Sequence, residues 1–189
     1  FFMFMVITGL IAFALFFLYD LNSITIRNRG LQTFFTIGLL LLCLSTVMLF
    51  RTEALRRPFT IPCLICLIAG IFFLGLLIYT LFFALPFDDT YVKENHMRPV
   101  YSEGVYALCR HPGVLWFIGF YLCFALYSQS SLVWIYSAVV CAGNLLYILF
   151  QDAVIFPQTF TNYDEYRRTT PFLIPNQKSI ASCIRTIRK

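Results

Sequence analysis

The chain has 189 residues, 60% of them hydrophobic, 19% aromatic and only 12% charged, with a positive mean hydropathy. Soluble domains carry about twice that charged fraction, so an ordinary water-soluble domain is excluded and a bilayer protein is indicated. The net charge of +5 is read as loop asymmetry plus attraction to anionic lipid, not as a nucleic-acid footprint.

Five apolar stretches approach the roughly 17–25 residues that a membrane-spanning helix needs: residues 1–19, 31–50, 61–85, 113–127 and 132–156. The first lacks a basic n-region and a small-residue cleavage site, so it reads as a true first helix and not a removable signal peptide. The chain opens on Phe1, which suggests that native residues precede it. Only Ser128-Gln129-Ser130-Ser131 separates the short fourth stretch from the fifth, which predicts a tight helical hairpin that does not cross the bilayer symmetrically. The expected fold class is all-α integral membrane, one unit over 1–189. It comprises three N-terminal transmembrane helices (1–85), a cofactor-binding core (86–175) and a basic amphipathic tail (176–189).

Lysine and arginine set the expected orientation. Two lie in the first loop, three in the third and six in the tail, against three in the second loop and none in the fourth. Five crossings place the richer set on one side, and the positive-inside rule puts that side, with the C-terminus, in the cytosol. In the tail Ile180, Ile184 and Ile187 share a helical face beside Arg185, Arg188 and Lys189; this is either an interfacial helix that binds anionic lipid or a frayed basic tail.

Five of the seven cysteines, Cys43, Cys63, Cys66, Cys123 and Cys141, fall inside apolar stretches, where cysteine behaves as a small hydrophobe. Cys63-x-x-Cys66 has a redox or metal spacing but no second pair and no nearby histidine. Cys109 adjoins Arg110, which could lower its pKa; the alternative is that it fills space. The loop at 86–103 holds Asp88, Asp89, Lys93, Glu94, His96 and Arg98, either a solvated connector or a cover for a site, with no spacing that matches a metal set.

Polar chemistry concentrates at Arg110-His111-Pro112 and in a C-terminal block. Proline at a first helical position loses no amide hydrogen bond and has its φ preset, so Pro112 is expected to open the fourth helix. That end carries roughly half a positive charge and suits a carboxylate or phosphate. Arg110 adds a permanent charge with a fork for carboxylates, and His111 donates or accepts near neutral pH. The plainer alternative makes Arg110 a snorkelling anchor and His111 a helix cap. Tyr163 and Tyr166, three apart, share a helical face. They follow Phe156-Pro157 and Phe160, and Pro171 and Pro175 bracket Phe172-Leu173-Ile174 as a lid. With Asp152, Asp164 and Glu165 alongside, the aromatic faces suit a flat, partly cationic ligand.

Gly104-Val105-Tyr106-Ala107-Leu108-Cys109-Arg110-His111-Pro112 resembles the glycine, tyrosine and Arg-His-Pro signature of the isoprenylcysteine carboxyl methyltransferases and their prokaryotic relatives. Gln151-Asp152, Phe160, Tyr163-Asp164-Glu165-Tyr166-Arg167-Arg168 and Thr170-Pro171-Phe172-Leu173-Ile174-Pro175 resemble that family's C-terminal block. The resemblance covers roughly residues 101–175; upstream, the helices share only hydrophobicity. Val114 and Trp116 stand where the family often has tyrosine and glycine, and the family's longer acidic run is reduced here to Gln151-Asp152.

The resemblance implies a membrane-embedded methyltransferase that binds S-adenosylmethionine between the Arg-His-Pro helix and the C-terminal segment, with a lipophilic acceptor entering from the bilayer. It makes Tyr106, His111, Pro112, Asp152, Tyr163, Tyr166 and Pro175 cofactor-pocket positions and puts Arg110 near the transferred methyl. Arg110, His111 and Asp152 are the catalytic candidates. The leading reaction is carboxyl O-methylation of an isoprenylcysteine-like or other lipidated substrate. Alternatives are N- or S-methylation of a phospholipid or small lipophile, a nicotinamide-dependent membrane reductase, and a non-catalytic bundle.

Overall fold

The computed structural model describes residues 1–55, 60–84 and 99–187, and every regular element among them is helical. In chain order these are α1 (Phe2–Ile24), α2 (Thr33–Leu49), α3 (Ile61–Phe82), α4 (Val105–Leu108), α5 (Pro112–Ser128), α6 (Ser131–Phe150), α7 (Phe156–Thr159), α8 (Tyr163–Thr169) and α9 (Gln177–Ile187). A π-helical turn, Phe50–Ala54, extends α2, and a second, Gln151–Ile155, joins α6 to α7.

Four helical stretches are long and apolar enough to cross a membrane: Phe2–Ile24, Gly30–Ala54, Ile61–Phe82 and Ser131–Thr159. The chain is thus a membrane protein. The expected fourth span is the exception, since α5 has 17 residues; it is apolar throughout but shorter than the others. The first helix runs past the apolar stretch ending at residue 19 because the polar residues there find partners: Asp20 accepts from Gln151 Nε2 at 2.8 Å, and Asn22 bonds Asn28. Backbone hydrogen bonds therefore continue through a segment that hydropathy alone would end.

The main helix contacts run from α2 to α1, α6, α5 and α3 in turn, and α2 also closes on α5 and α6. Aromatic side chains fill the seam: Phe13 meets Phe117 edge-on at 6.3 Å, Phe16 meets Tyr147 at 5.7 Å, and Tyr121 meets Tyr136 at 6.0 Å. A small polar knot ties three helices. The Tyr136 hydroxyl lies 2.7 Å from Ser45 Oγ, and the Tyr121 hydroxyl lies 2.7 Å from Thr46 Oγ1. In hydrocarbon each such interhelical bond contributes about 0.6–2 kcal/mol. Outward, α3 exposes Ile61, Ile65, Ile68, Ile71 and Phe72, each more than half open, a surface suited to lipid tails.

The chain reverses between α5 and α6 at Gln129, whose φ of 48° places it in the left-handed region. The bundle's two ends then differ in kind. Residues 25–32, 99–111 and 151–187 gather at one end through the Asp20–Gln151 bond, the Tyr106 hydroxyl donating to Thr80 O at 3.0 Å and Val100 N–H donating to Asn162 Oδ1 at 2.7 Å. At the other end Ser130 Oγ donates to Glu53 Oε2 at 2.7 Å. Asp88, Asp89, Lys93, Glu94, His96, Arg98, Arg188 and Lys189 lie outside the described residues.

Candidate functional site

Pro112 occupies the first position of α5, as its chemistry predicts, with His111 at the N-cap. The imidazole does not cap the helix. Its Nε2 instead lies 3.3 Å from Asp152 Oδ1, and both residues are about 95% buried. Nor does Arg110 snorkel, since its side chain is only 8% exposed. Its Nη1 sits 2.8 Å from Asp152 Oδ1 and 3.1 Å from Oδ2, and its own N–H donates to Pro171 O at 2.9 Å. Both plainer readings of the motif therefore give way to one buried cluster.

Asp152 reaches that cluster from the π-helical turn. One extra residue per turn swings the side chain away from the face it would hold in a regular helix, a device common at functional sites. The Tyr163 hydroxyl donates to Asp152 Oδ1, and Arg167 Nε stands 3.8 Å from Oδ2 from a half-exposed position. The carboxylate thus faces Arg110 and His111 from the motif and Tyr163 and Arg167 from α8. Tyr166, which neighbours Tyr163 at 6.2 Å between rings, donates to Tyr106 O at 2.6 Å. Burial raises the pKa of Tyr163 and Tyr166 and pushes Tyr106 up to about 12. All three phenols stay protonated at neutral pH and act as donors.

Aromatic rings enclose the polar centre. His111 stacks on Phe156 at 5.7 Å and meets Phe172 edge-on at 5.0 Å, while the Arg110 guanidinium carbon lies 5.3 Å from the Phe172 centroid. Of the Pro171 to Pro175 segment read as a lid, Pro171 and Phe172 touch the cluster. Pro175 makes no hydrogen bond or ring contact with the cluster among the described residues, and Asp164 and Glu165 are exposed on α8. Cys109 is fully buried, and burial pushes its thiol up to about 11. The Arg110 charge does not activate it; it fills space behind the motif.

Two features escaped the sequence reading. The Asp20–Gln151 contact spans 131 residues and fixes the start of the π-helical turn that carries Asp152; a carboxylate directly after a long apolar run was the available signal. The second is an atom. Arg110 Nε is buried and has no hydrogen-bond partner, because a single nitrogen of the fork serves both Asp152 oxygens.

One cavity borders this region and another lies farther along the bundle. A polar one of about 300 Å³ lies beyond Ala107 and Thr170, beside Lys178 and Ser179. An apolar one of about 160 Å³ lies between α2, α3 and α5 near Gly70 and Cys123. Cys123 is eleven residues down α5 from Pro112, roughly 16 Å at helical rise. Among the described residues no group of three or more His, Cys, Asp and Glu is placed to hold a metal ion. No protein-family model matches the chain, and neither do characterised proteins or solved structures.

Proposed function

We propose that the chain is an S-adenosylmethionine-dependent membrane methyltransferase with a lipophilic acceptor, the leading reaction being carboxyl O-methylation of an isoprenylcysteine-like or other lipidated substrate. The observation that carries this reading is the meeting of Arg110, His111 and Tyr163 on buried Asp152, since these residues come from the two blocks that resemble the family. Burying a cation, an imidazole and a carboxylate together at a membrane edge is costly, and such groups commonly mark functional sites.

The residues fit the methyl donor. Arg110 Nε is an unpaired buried donor suited to a carboxylate. The rings of Phe156, Phe172 and Tyr163 offer faces for a flat heterocycle and for a sulfonium. When bound, the donor supplies an activated methyl group. Arg110 orients an acceptor carboxylate, which needs no base; an amine or thiol acceptor needs proton removal, for which the His111–Asp152 pair is the candidate. Positioning is the main catalytic contribution.

The topology that goes with this reading has five crossings, α5 and α6 forming a hairpin and the cluster facing the cytosol. Among the described residues Arg27, Arg29, Arg110, Arg167, Arg168, Lys178 and Arg185 belong to the cluster's end and Arg51 to the other, which supports that orientation.

A second reading, a non-catalytic bundle in which the cluster clasps the tail, is favoured by Asp152 being saturated with partners. Calorimetry on detergent-solubilised protein separates the two. S-adenosylmethionine is expected to bind and reduced nicotinamide dinucleotide not to. Loss of charged hydrogen bonds in Arg110→Ala should weaken donor binding by about 10- to 100-fold, and Arg110→Lys, which keeps charge but not the fork, should recover only part of it. Thermal unfolding of both variants checks that they fold. Binding of neither compound overturns every enzymatic reading; binding of the nicotinamide alone favours the reductase.

A further inference from the structure

Helix α9 is built inside out. An ordinary surface helix turns its apolar stripe to the core and its polar stripe to water. Here Ser179 and Cys183 are more than 90% buried, and Thr186 Oγ1 accepts the Gly104 N–H at 2.9 Å, so the inward stripe is small, a thiol between two hydroxyls. The isoleucines point out instead: Ile180, Ile184 and Ile187 are 43%, 52% and 60% exposed, and Ile174, just before the helix, is 81% exposed. Lys178 and Arg185, seven apart, form a third, exposed stripe.

Each stripe follows the i, i+4, i+7 or i, i+7 spacing that keeps residues in line along a helix. The arrangement is therefore regular, and the outward isoleucines are not scattered surface residues. An exposed apolar stripe with cations on the far face of the same helix, at the end of a membrane bundle, has one fitting occupant, the lipid interface. There the isoleucines reach the acyl boundary, and the long side chains of Lys178 and Arg185 reach back from the opposite face toward anionic headgroups.

We propose that α9 is an interfacial helix whose Ile180–Ile184–Ile187 face docks on an anionic bilayer surface, and that this docking steadies the segment that carries Arg110 and His111. The link is short. α9 packs on α4, the Gly104–Thr186 bond pins the start of α4, and α4 ends at Leu108, two residues before Arg110. Membrane attachment on one face of α9 is thereby transmitted to the motif through the adjoining face. This inference does not depend on the reaction proposed above.

Hydrogen exchange on the full chain in nanodiscs tests it without any methyl donor. Amides of residues 177–187 should exchange at least about tenfold more slowly in phosphatidylcholine nanodiscs containing phosphatidylglycerol than in phosphatidylcholine alone, at about fivefold per cation near the surface. Residues 105–108 should follow in the same direction. An Ile180→Ser/Ile184→Ser variant should lose the lipid-dependent difference, and Lys178→Gln/Arg185→Gln should lose its dependence on the anionic lipid. Equal exchange in both lipids overturns the proposal. So does protection that rises with protein per nanodisc and not with anionic lipid, which would assign the face to a second copy of the chain. If α9 loses protection in the isoleucine variant while residues 105–108 are unchanged, the coupling to the motif is wrong.

Discussion

Residue chemistry at the cluster's edge favours protonated, neutral groups. Cys109 is raised from the ordinary thiol range to about 11 and Tyr106 from the phenol range to about 12, both by burial. Below pH 9 both groups hold their protons folded or unfolded, and their contribution to stability is complete. As pH rises from about 9 to 11 for Cys109, and from about 10 to 12 for Tyr106, the unfolded chain gives up the proton first. Stability falls across that window. The thermal midpoint in detergent should therefore drop between pH 9 and 11, and Cys109→Ala should flatten the early part of the drop. An unchanged pH slope in that variant would remove Cys109 from the account. The sequence already singled out Arg110, His111, Asp152, Tyr163 and Tyr166 as site candidates. It could not reveal that one Arg110 nitrogen meets both Asp152 oxygens while Nε stays free, because fork geometry depends on where a π-helical turn sets the carboxylate.

Among the elements, those with strong local rules were the most legible. Pro112 opens α5 where proline chemistry says it should, and the helical reading of the tail survives as α9. The π-helical turn at Gln151 was invisible, since a period of 3.6 carries no mark of one added residue. The burial of α9's small-residue stripe was equally hidden: amphipathicity shows that a helix has two faces, not which one the rest of the molecule takes. Gly104 sets the junction between α4 and α9. Its φ of 57° with ψ of −131° is a conformation that side chains with a Cβ rarely adopt, and nothing nearer than Ile187 at 3.9 Å would obstruct one. Gly104→Ala should thus cost about 1–3 kcal/mol through backbone strain alone, lowering the midpoint by several degrees. Gly113→Ala is the control. It lies in the first turn of α5, where an added Cβ would meet only ordinary contacts at 3.7 and 3.9 Å, and alanine's helix preference makes it neutral to stabilising by up to about 1 kcal/mol. Equal losses in the two variants would show that strain at Gly104 is not the cause.

For the whole molecule the testable property is sidedness. The cluster, the basic residues of α8 and α9, and the loop at 25–32 share one end, while Glu53 and Ser130 mark the other. In a cysteine-free background, intact cells treated with a membrane-impermeant maleimide should label Leu55→Cys, at an exposed site on the far end. Arg168→Cys, exposed on α8, should label only after permeabilisation. The reverse pattern would put the cluster outside the cell, away from cytosolic cofactors, and would defeat the proposed donor.

The brevity of α5 has a further consequence for that end of the protein. Seventeen residues rise about 26 Å, less than the roughly 30 Å of hydrocarbon in a typical bilayer, and the deficit cannot be recovered by tilting, which only shortens the reach. Under the proposed five-crossing topology, with the far end of α5 tied by the two-residue turn to α6, the shortfall would fall at Pro112. Arg110 and His111 would then sit in a local depression of the headgroup layer, with lipid thinned around them. A water-borne reactant and a lipid-borne one could meet there at the same depth, with neither having to traverse the membrane's full half-thickness.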